Sequence, residues 1–188
     1  NKFSEYAILN AADICYKLKR YDSAATYYSQ LESNAEYKSN ILSARTMKMR
    51  CYWKSGKYTK AMTAARLLIG TDKVTNEGLS EAYITIGRGA LAIDSNADAQ
   101  TAFEQVYKIS PSSEYGAEAL YSLAYIDYKL KDYTAAEKKI FEVINVVTSY
   151  EYWIAKSFIL LADVYVSIGN LPQAKATLQS IIDNSDYP

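Results

Sequence analysis

Apolar positions recur along most of the chain at steps of three and four residues, the period of an amphipathic helix and not of a strand. Ala24, Tyr28 and Leu31 form one such ladder. Ala61, Ala65 and Leu68 form the next, followed by Ala99, Phe103 and Val106, then Ala136, Ile140 and Val143, then Ala174, Leu178 and Ile181. A short polar segment precedes each ladder: Lys19-Arg20-Tyr21, Gly56-Lys57-Tyr58, Asp94-Ser95-Asn96, Lys131-Asp132-Tyr133 and Gly169-Asn170-Leu171. The ladder alanines are spaced 37, 38, 37 and 38 residues apart. A spacing held to within one residue four times marks an internal repeat.

Upstream of each polar segment lies a second stripe: Ile8, Ala11, Ala12 and Cys15 in the first repeat. Tyr83, Ile86, Gly87 and Ala90 form it in the third, Leu120, Leu123 and Ala124 in the fourth, and Phe158, Leu161, Ala162 and Tyr165 in the fifth. Each repeat therefore reads as a first helix A, a turn, and a second helix B. The pattern predicts helices at 4–18, 21–33, 38–55, 58–70, 77–93, 97–109, 114–130, 133–147, 151–168 and 171–184. Pro172 fits the first turn of a B helix, where proline is tolerated. Ala12, Gly87, Ala124 and Ala162 on A helices are expected to face the ladder alanines, because small side chains let helix axes approach closely. In the second repeat Lys48 and Met49 stand where a large apolar and a small residue are expected, which leaves open a one-residue rotation of that helix.

Composition narrows the function classes. Lys and Arg number 21 and Asp and Glu 21, so the net charge is zero and the basic excess of a nucleic-acid-binding surface is missing. The sequence contains no His, which removes the commonest general base and metal ligand. Cys15 and Cys51 lie far apart and form no CxxC, so a zinc site is not expected. They bridge only if their Cα atoms come within about 7 Å; the reading preferred is two buried free thiols. No apolar run is long enough to span a membrane. No cofactor, metal or catalytic residue is assigned. The string Gly87-Arg88-Gly89 falls mid-helix and reads as close packing, not as a phosphate loop.

Tyr83, Ile86, Gly87, Ala90, Ala99, Phe103 and Pro111 resemble the tetratricopeptide repeat at seven places within one unit. The resemblance extends over nearly the whole chain. It implies an all-α, right-handed α-solenoid of five helix-turn-helix repeats, with a period of 37–38 in place of the family's usual 34. The units are about 4–36, 37–73, 74–111, 112–148 and 149–186, within a single domain, 1–188. The longer period is similar to repeats of bacterial cell-envelope proteins, so a periplasmic or envelope location is expected, with the cytoplasm as the other option. A chain starting at Asn1 without Met, with no capping element after the fifth unit, is expected to be part of a longer one. Self-association through the uncapped last repeat is a further expectation.

In the resembling family, helix A lines a concave groove. The aligned motif puts Tyr6, Asp13, Tyr16 and Lys17 there from the first repeat, Arg50, Trp53 and Lys54 from the second, and Arg88 from the third. The fourth supplies Tyr121, Tyr125, Tyr128 and Lys129, and the fifth Asp163. Tyr121, Tyr125 and Tyr128 fall on one helical stripe, distinct from Leu120, Leu123 and Ala124. Tyrosine and tryptophan with arginine dominate protein-binding hot spots, so the stripe reads either as a ligand groove or as padding between neighbouring helices. The resemblance implies a non-catalytic scaffold that binds a protein or peptide, with no nucleic acid and no membrane insertion. The alternative is a helical platform for a glycan or cell-wall polymer, for which the Tyr and Trp content suits sugar stacking.

Overall fold

A computed structural model describes residues 2–146 and 149–184. Among them run ten α-helices and no strand: α1 (Lys2–Lys17), α2 (Tyr21–Asn34), α3 (Lys38–Lys54), α4 (Tyr58–Ile69), α5 (Asn76–Ala92), α6 (Asn96–Ile109), α7 (Glu114–Lys129), α8 (Tyr133–Val146), α9 (Glu151–Ser167) and α10 (Leu171–Asn184). Each described end lies within two residues of the predicted one. The predicted helix end at Val147 and the unit ends at 148 and 186 lie outside the described residues.

The turn from helix A to helix B is the same in every repeat. Lys19, Gly56, Asp94, Lys131 and Gly169 all adopt positive φ, between 57° and 80°. After each, the next N–H reaches back to a carbonyl five residues earlier: Arg20 to Cys15 (2.8 Å), Lys57 to Tyr52 (2.9 Å), Ser95 to Ala90 (2.8 Å), Asp132 to Asp127 (2.9 Å) and Asn170 to Tyr165 (2.8 Å). This is the Schellman ending, which satisfies the last carbonyls of helix A and reverses the chain. Glycine accepts the left-handed backbone freely at Gly56 and Gly169. Lys19, Asp94 and Lys131 adopt it at a cost of about 1–2 kcal/mol each. Helix B then starts from a local cap where the sequence offers one: Asp132 Oδ1 accepts from the Ala135 N–H at 3.0 Å.

The chain divides into two compact units, Asn1–Ala102 and Phe103–Pro188, with the division inside α6. In unit 1, α1 packs on α2, α2 on α3, α3 on α4 and α4 on α5. One core cluster joins Ala12, Ala24, Tyr28, Leu31, Ala44 and Cys51, all fully buried. A fully buried Leu or Met contributes about 1.5–3 kcal/mol. The small-residue position of the second repeat is filled by Met49, also fully buried, and Gly56 keeps the common turn register, so α3 is not rotated. Lys48 is accommodated because Glu32 on α2 accepts from it and from Arg45 Nε (2.8 Å). A half-buried charge needs such pairing to be tolerated. Gly89 supplies the close approach expected of its string: a Cβ there would sit 2.6 Å from Met62 Cγ on α4. Both cysteines are free; Cys51 is buried, but Cys15 is only half-buried, which corrects the expectation of two buried thiols.

In unit 2, α7 packs on α8, α8 on α9, α9 on α10, and α7 also touches α9. Ala124, Ala136, Ile140, Leu161, Ala162 and Ala174 form one core cluster, and Ala117, Leu120, Val143 and Trp153 a second. All five ladder alanines of the chain are 0–4% exposed. The position four residues on is fully buried in Tyr28, Phe103 and Ile140 but 42% exposed in Leu178 on α10. Gly116 opens α7 where a Cβ would lie 2.3 Å from the Ser110 carbonyl oxygen and 2.5 Å from that of Pro111. Its N–H is capped by Ser113 Oγ at 3.1 Å.

Candidate functional site

The sequence places the candidate side chains on A helices, and they fall in two separate units. In unit 1 the central contact is Arg50 on α3 with Glu81 on α5. Arg50 Nε donates to Glu81 Oε1 and Nη2 to Oε2, both at 2.6 Å. Two parallel bonds match the guanidinium fork to the carboxylate. The pair arises from register, because Arg50 lies eleven residues before Ala61 and Glu81 eighteen before Ala99. Beside it, the Arg88 guanidinium stands over the Trp53 ring at 5.9 Å, and Trp53 meets Tyr58 at 4.9 Å. Tyr16 turns its ring edge to Tyr21 at 5.4 Å. Burial pushes its hydroxyl above the ordinary tyrosine range, Cys51 adds to this, and the Arg50 charge opposes it. Lys17 is exposed.

Unit 1 also contains a cavity of about 370 Å³ between α4, α5 and α6. Arg66, Tyr83, Asp98 and Thr101 line it with Ile69, Ile86 and Ala102. It is separate from the residues assigned to the A-helix face.

In unit 2 the predicted tyrosine stripe does not form one open surface. Tyr128 packs on the core and meets Tyr133 at 6.0 Å. Tyr121 packs on both clusters and meets Trp153 at 5.5 Å. Burial lifts the Tyr121 hydroxyl to about 12. Tyr125, by contrast, is 36% exposed, and Asp163 lies exposed on α9. Tyr121 and Tyr128 are half-buried, and Tyr125 is the exposed one of the three.

Three residues at the start of α9 that sequence reasoning did not single out gather around Tyr121. Lys156 Nζ lies 4.7 Å from the Tyr121 ring centroid, 5.5 Å from Tyr152 and 5.2 Å from Trp153. Tyr152 and Trp153 are edge-to-face at 4.9 Å. Trp153 is buried while Tyr152 is 63% exposed. The signal was available: Lys156 follows Trp153 by three and Tyr152 by four residues, the spacing of helical neighbours, and two adjacent aromatics open no other A helix. Glu81 was missed because a pair 31 residues apart is visible only once α3 and α5 are packed.

Among the described residues no group of three or more His, Cys, Asp or Glu could hold a metal ion, and no helix is long and apolar enough to cross a membrane.

Residues 84–144 match the family model for the tetratricopeptide repeat. No curated protein sequence matches the chain. Among solved structures, the MamA protein is similar at 14% identity over 97% of this chain and 92% of that one, with a TM-score of 0.79. The apo form of RapI is similar at 16% identity over 97% of this chain and 55% of that one, with a TM-score of 0.83. A tetratricopeptide repeat protein from Parabacteroides merdae ATCC 43184 is similar at 18% identity over 100% of this chain and 68% of that one, with a TM-score of 0.68. At these identities the likeness concerns the fold.

Proposed function

We propose, from the premise that the chain is a tetratricopeptide-repeat protein, that it is a non-catalytic scaffold holding a protein or peptide against the A-helix faces of its two units. The helical-repeat fold is commonly a protein-interaction scaffold. In unit 1 the receiving side chains are Tyr16, Lys17, Arg50, Trp53 and Arg88; in unit 2 they are Tyr121, Tyr125 and Asp163 with Tyr152, Trp153 and Lys156. The observation that carries the reading is the collection of rings and cations around Lys156: one ammonium within 5.5 Å of three aromatic centroids. Aromatic and cationic side chains held rigid by neighbours are what binding hot spots use.

The test places a photo-crosslinking amino acid at Tyr125, on the proposed face of α7, or at Leu67, exposed on α4. Irradiation in the native host is expected to give discrete protein adducts from Tyr125 and none from Leu67. Adducts from Leu67 alone, or from neither site, would overturn the assignment of the face.

A further inference from the structure

The two units use one register for opposite electrostatics. Counting back eighteen residues from the ladder alanine gives Glu81 from Ala99 and Lys156 from Ala174. Counting back eleven gives Arg50 from Ala61 and Tyr125 from Ala136. In unit 1 the register closes on itself, because Arg50 and Glu81 neutralise one another through two hydrogen bonds. In unit 2 the same two positions hold a tyrosine and a lysine. Lys156 forms no ion pair among the described residues, and its described contacts are to three rings. Ring faces attract the charge but accept none of the three N–H bonds in line. Asp163 is two turns further along α9, about 10 Å at the helix rise, and does not neutralise it. The Trp153 Nε1 hydrogen, in the same cluster, is buried with no acceptor among the described residues. Lys156 and the Trp153 indole are donors only, whereas the Tyr121 and Tyr152 hydroxyls donate and accept, and what would complement the ammonium is an acceptor with negative charge.

The shape narrows the occupant further. Trp153 is buried and Tyr121 half-buried, each with its ring against the other, so Tyr152 is the ring of the cluster with most of its surface open. A sugar polymer stacks on a succession of open rings. One open ring beside one ammonium fits a single carboxylate on a short aliphatic stem. We propose that Tyr121, Tyr152, Trp153 and Lys156 form a receiving site for an acidic side chain of the partner protein, the carboxylate on Lys156 and its methylenes on Tyr152. This rests on the scaffold reading above and names the chemistry of one contact within it.

Two blocked synthetic peptides, Gly-Tyr-Glu-Glu-Tyr-Gly and its Gln-for-Glu counterpart, test the site by calorimetric titration, with the Trp153 indole N–H resonance followed by NMR. The expected result is saturable binding of the Glu peptide at low salt, at least about tenfold tighter than the Gln peptide, with movement of the Trp153 resonance. Lys156→Met, which keeps the stem, should abolish the preference, and Lys156→Arg should retain it. Equal affinities for the two peptides, no saturable binding of either, or an unchanged preference in Lys156→Met would overturn the proposal. Tighter binding of oligogalacturonate than of the Glu peptide would also overturn it, in favour of an acidic glycan. Equal peptide affinities with Tyr125 adducts still formed in the unsubstituted protein would leave the scaffold standing while removing this contact, whereas an absence of Tyr125 adducts would count against the scaffold itself.

Discussion

Tyr28 on α2 donates its hydroxyl hydrogen to Asp13 Oδ1 on α1 at 2.5 Å, while the residue itself is fully buried. The same device recurs in unit 2, where Tyr165 donates to Glu137 and Tyr107 to Glu142, each at 2.8 Å. A ring fills the space between helices and its polar end is satisfied at the edge by a carboxylate. Tyr28→Phe keeps the ring and removes the bond, so it should cost about 1–2 kcal/mol. Tyr28→Ala removes both and should cost about 3–5 kcal/mol. Urea denaturation of the two variants separates the terms; equal losses would mean that the hydroxyl carries the stability and the packing does not.

These groups set the alkaline limit of stability. Burial first, and then the carboxylate partners, lift Tyr107 and Tyr165 to about 12, while burial lifts Tyr121 to about 12 and the Cys51 thiol to about 12. A group whose folded value is raised contributes fully below its unfolded value and loses that contribution as pH rises through the folded one. The urea midpoint should therefore be flat to about pH 8 and fall from there to about pH 12. Ultraviolet titration should show Tyr107, Tyr121 and Tyr165 ionising only with unfolding. Cys51→Ala, although less stable overall, should weaken the earliest part of the fall. On the acid side the sign reverses. The Glu36 N–H and the Asn40 amide hold Glu5 below the usual carboxylate range. Burial raises Glu32, but Lys48 and Arg45 together outweigh it and the net shift is downward. Both contributions are present above the usual glutamate range and are lost as pH falls below it.

Gly116 is the position where a single methyl group should do most damage. An added Cβ would meet backbone at 2.3–2.7 Å, the carbonyl oxygens of Ser110 and Pro111 and the Pro111 carbonyl carbon. Backbone cannot rotate away as a side-chain tip can. Gly116→Ala should destabilise unit 2 by about 2–3 kcal/mol and loosen the Ser113 cap. Gly78→Ala, whose nearest neighbour is the Val74 side chain at 3.0 Å, should cost clearly less. Equal denaturation midpoints for the two variants would show that the turn before α7 yields easily.

The repeat was legible because its packing rule is written in small residues. Ala24, Ala61, Ala99, Ala136 and Ala174 stand in register in the sequence and are buried in the fold. Other features were legible only in part. The second repeat looked out of register because Lys48 and Met49 break the pattern, yet Glu32 absorbs the lysine and the core absorbs the methionine. The candidate face was harder to read for a physical reason. Helical spacing says which residues share a side, but not which helix lies opposite. Tyr121, Tyr125 and Tyr128 share a stripe in the sequence, yet Tyr121 and Tyr128 each lean on a neighbouring ring while Tyr125 is more open. The Arg50–Glu81 pair and the rings around Lys156 depend on how one A helix sits beside the next, which a single sequence does not state.

The helix A to helix B turns give the sharpest test of the repeat as a backbone design. Five residues take positive φ at one register, and only Gly56 and Gly169 are glycine. Glycine at φ +71° and +80° has nothing within 4 Å of an added Cβ, so Gly56→Ala and Gly169→Ala would suffer from backbone strain and not from crowding. Each should cost about 1 kcal/mol. In the opposite direction, Lys131 sits at φ 64° with no intrinsic preference for it. Lys131→Gly should relieve about 1–2 kcal/mol of strain and return about 0.5–1 kcal/mol through the freer unfolded chain, a net gain of about 0.5–1 kcal/mol. Lys19→Gly should behave alike. Since the two positions lie in different units, the double variant should show the sum of the single effects. A net loss in either single variant would mean that the lysine stem makes a packing contribution larger than the strain it carries.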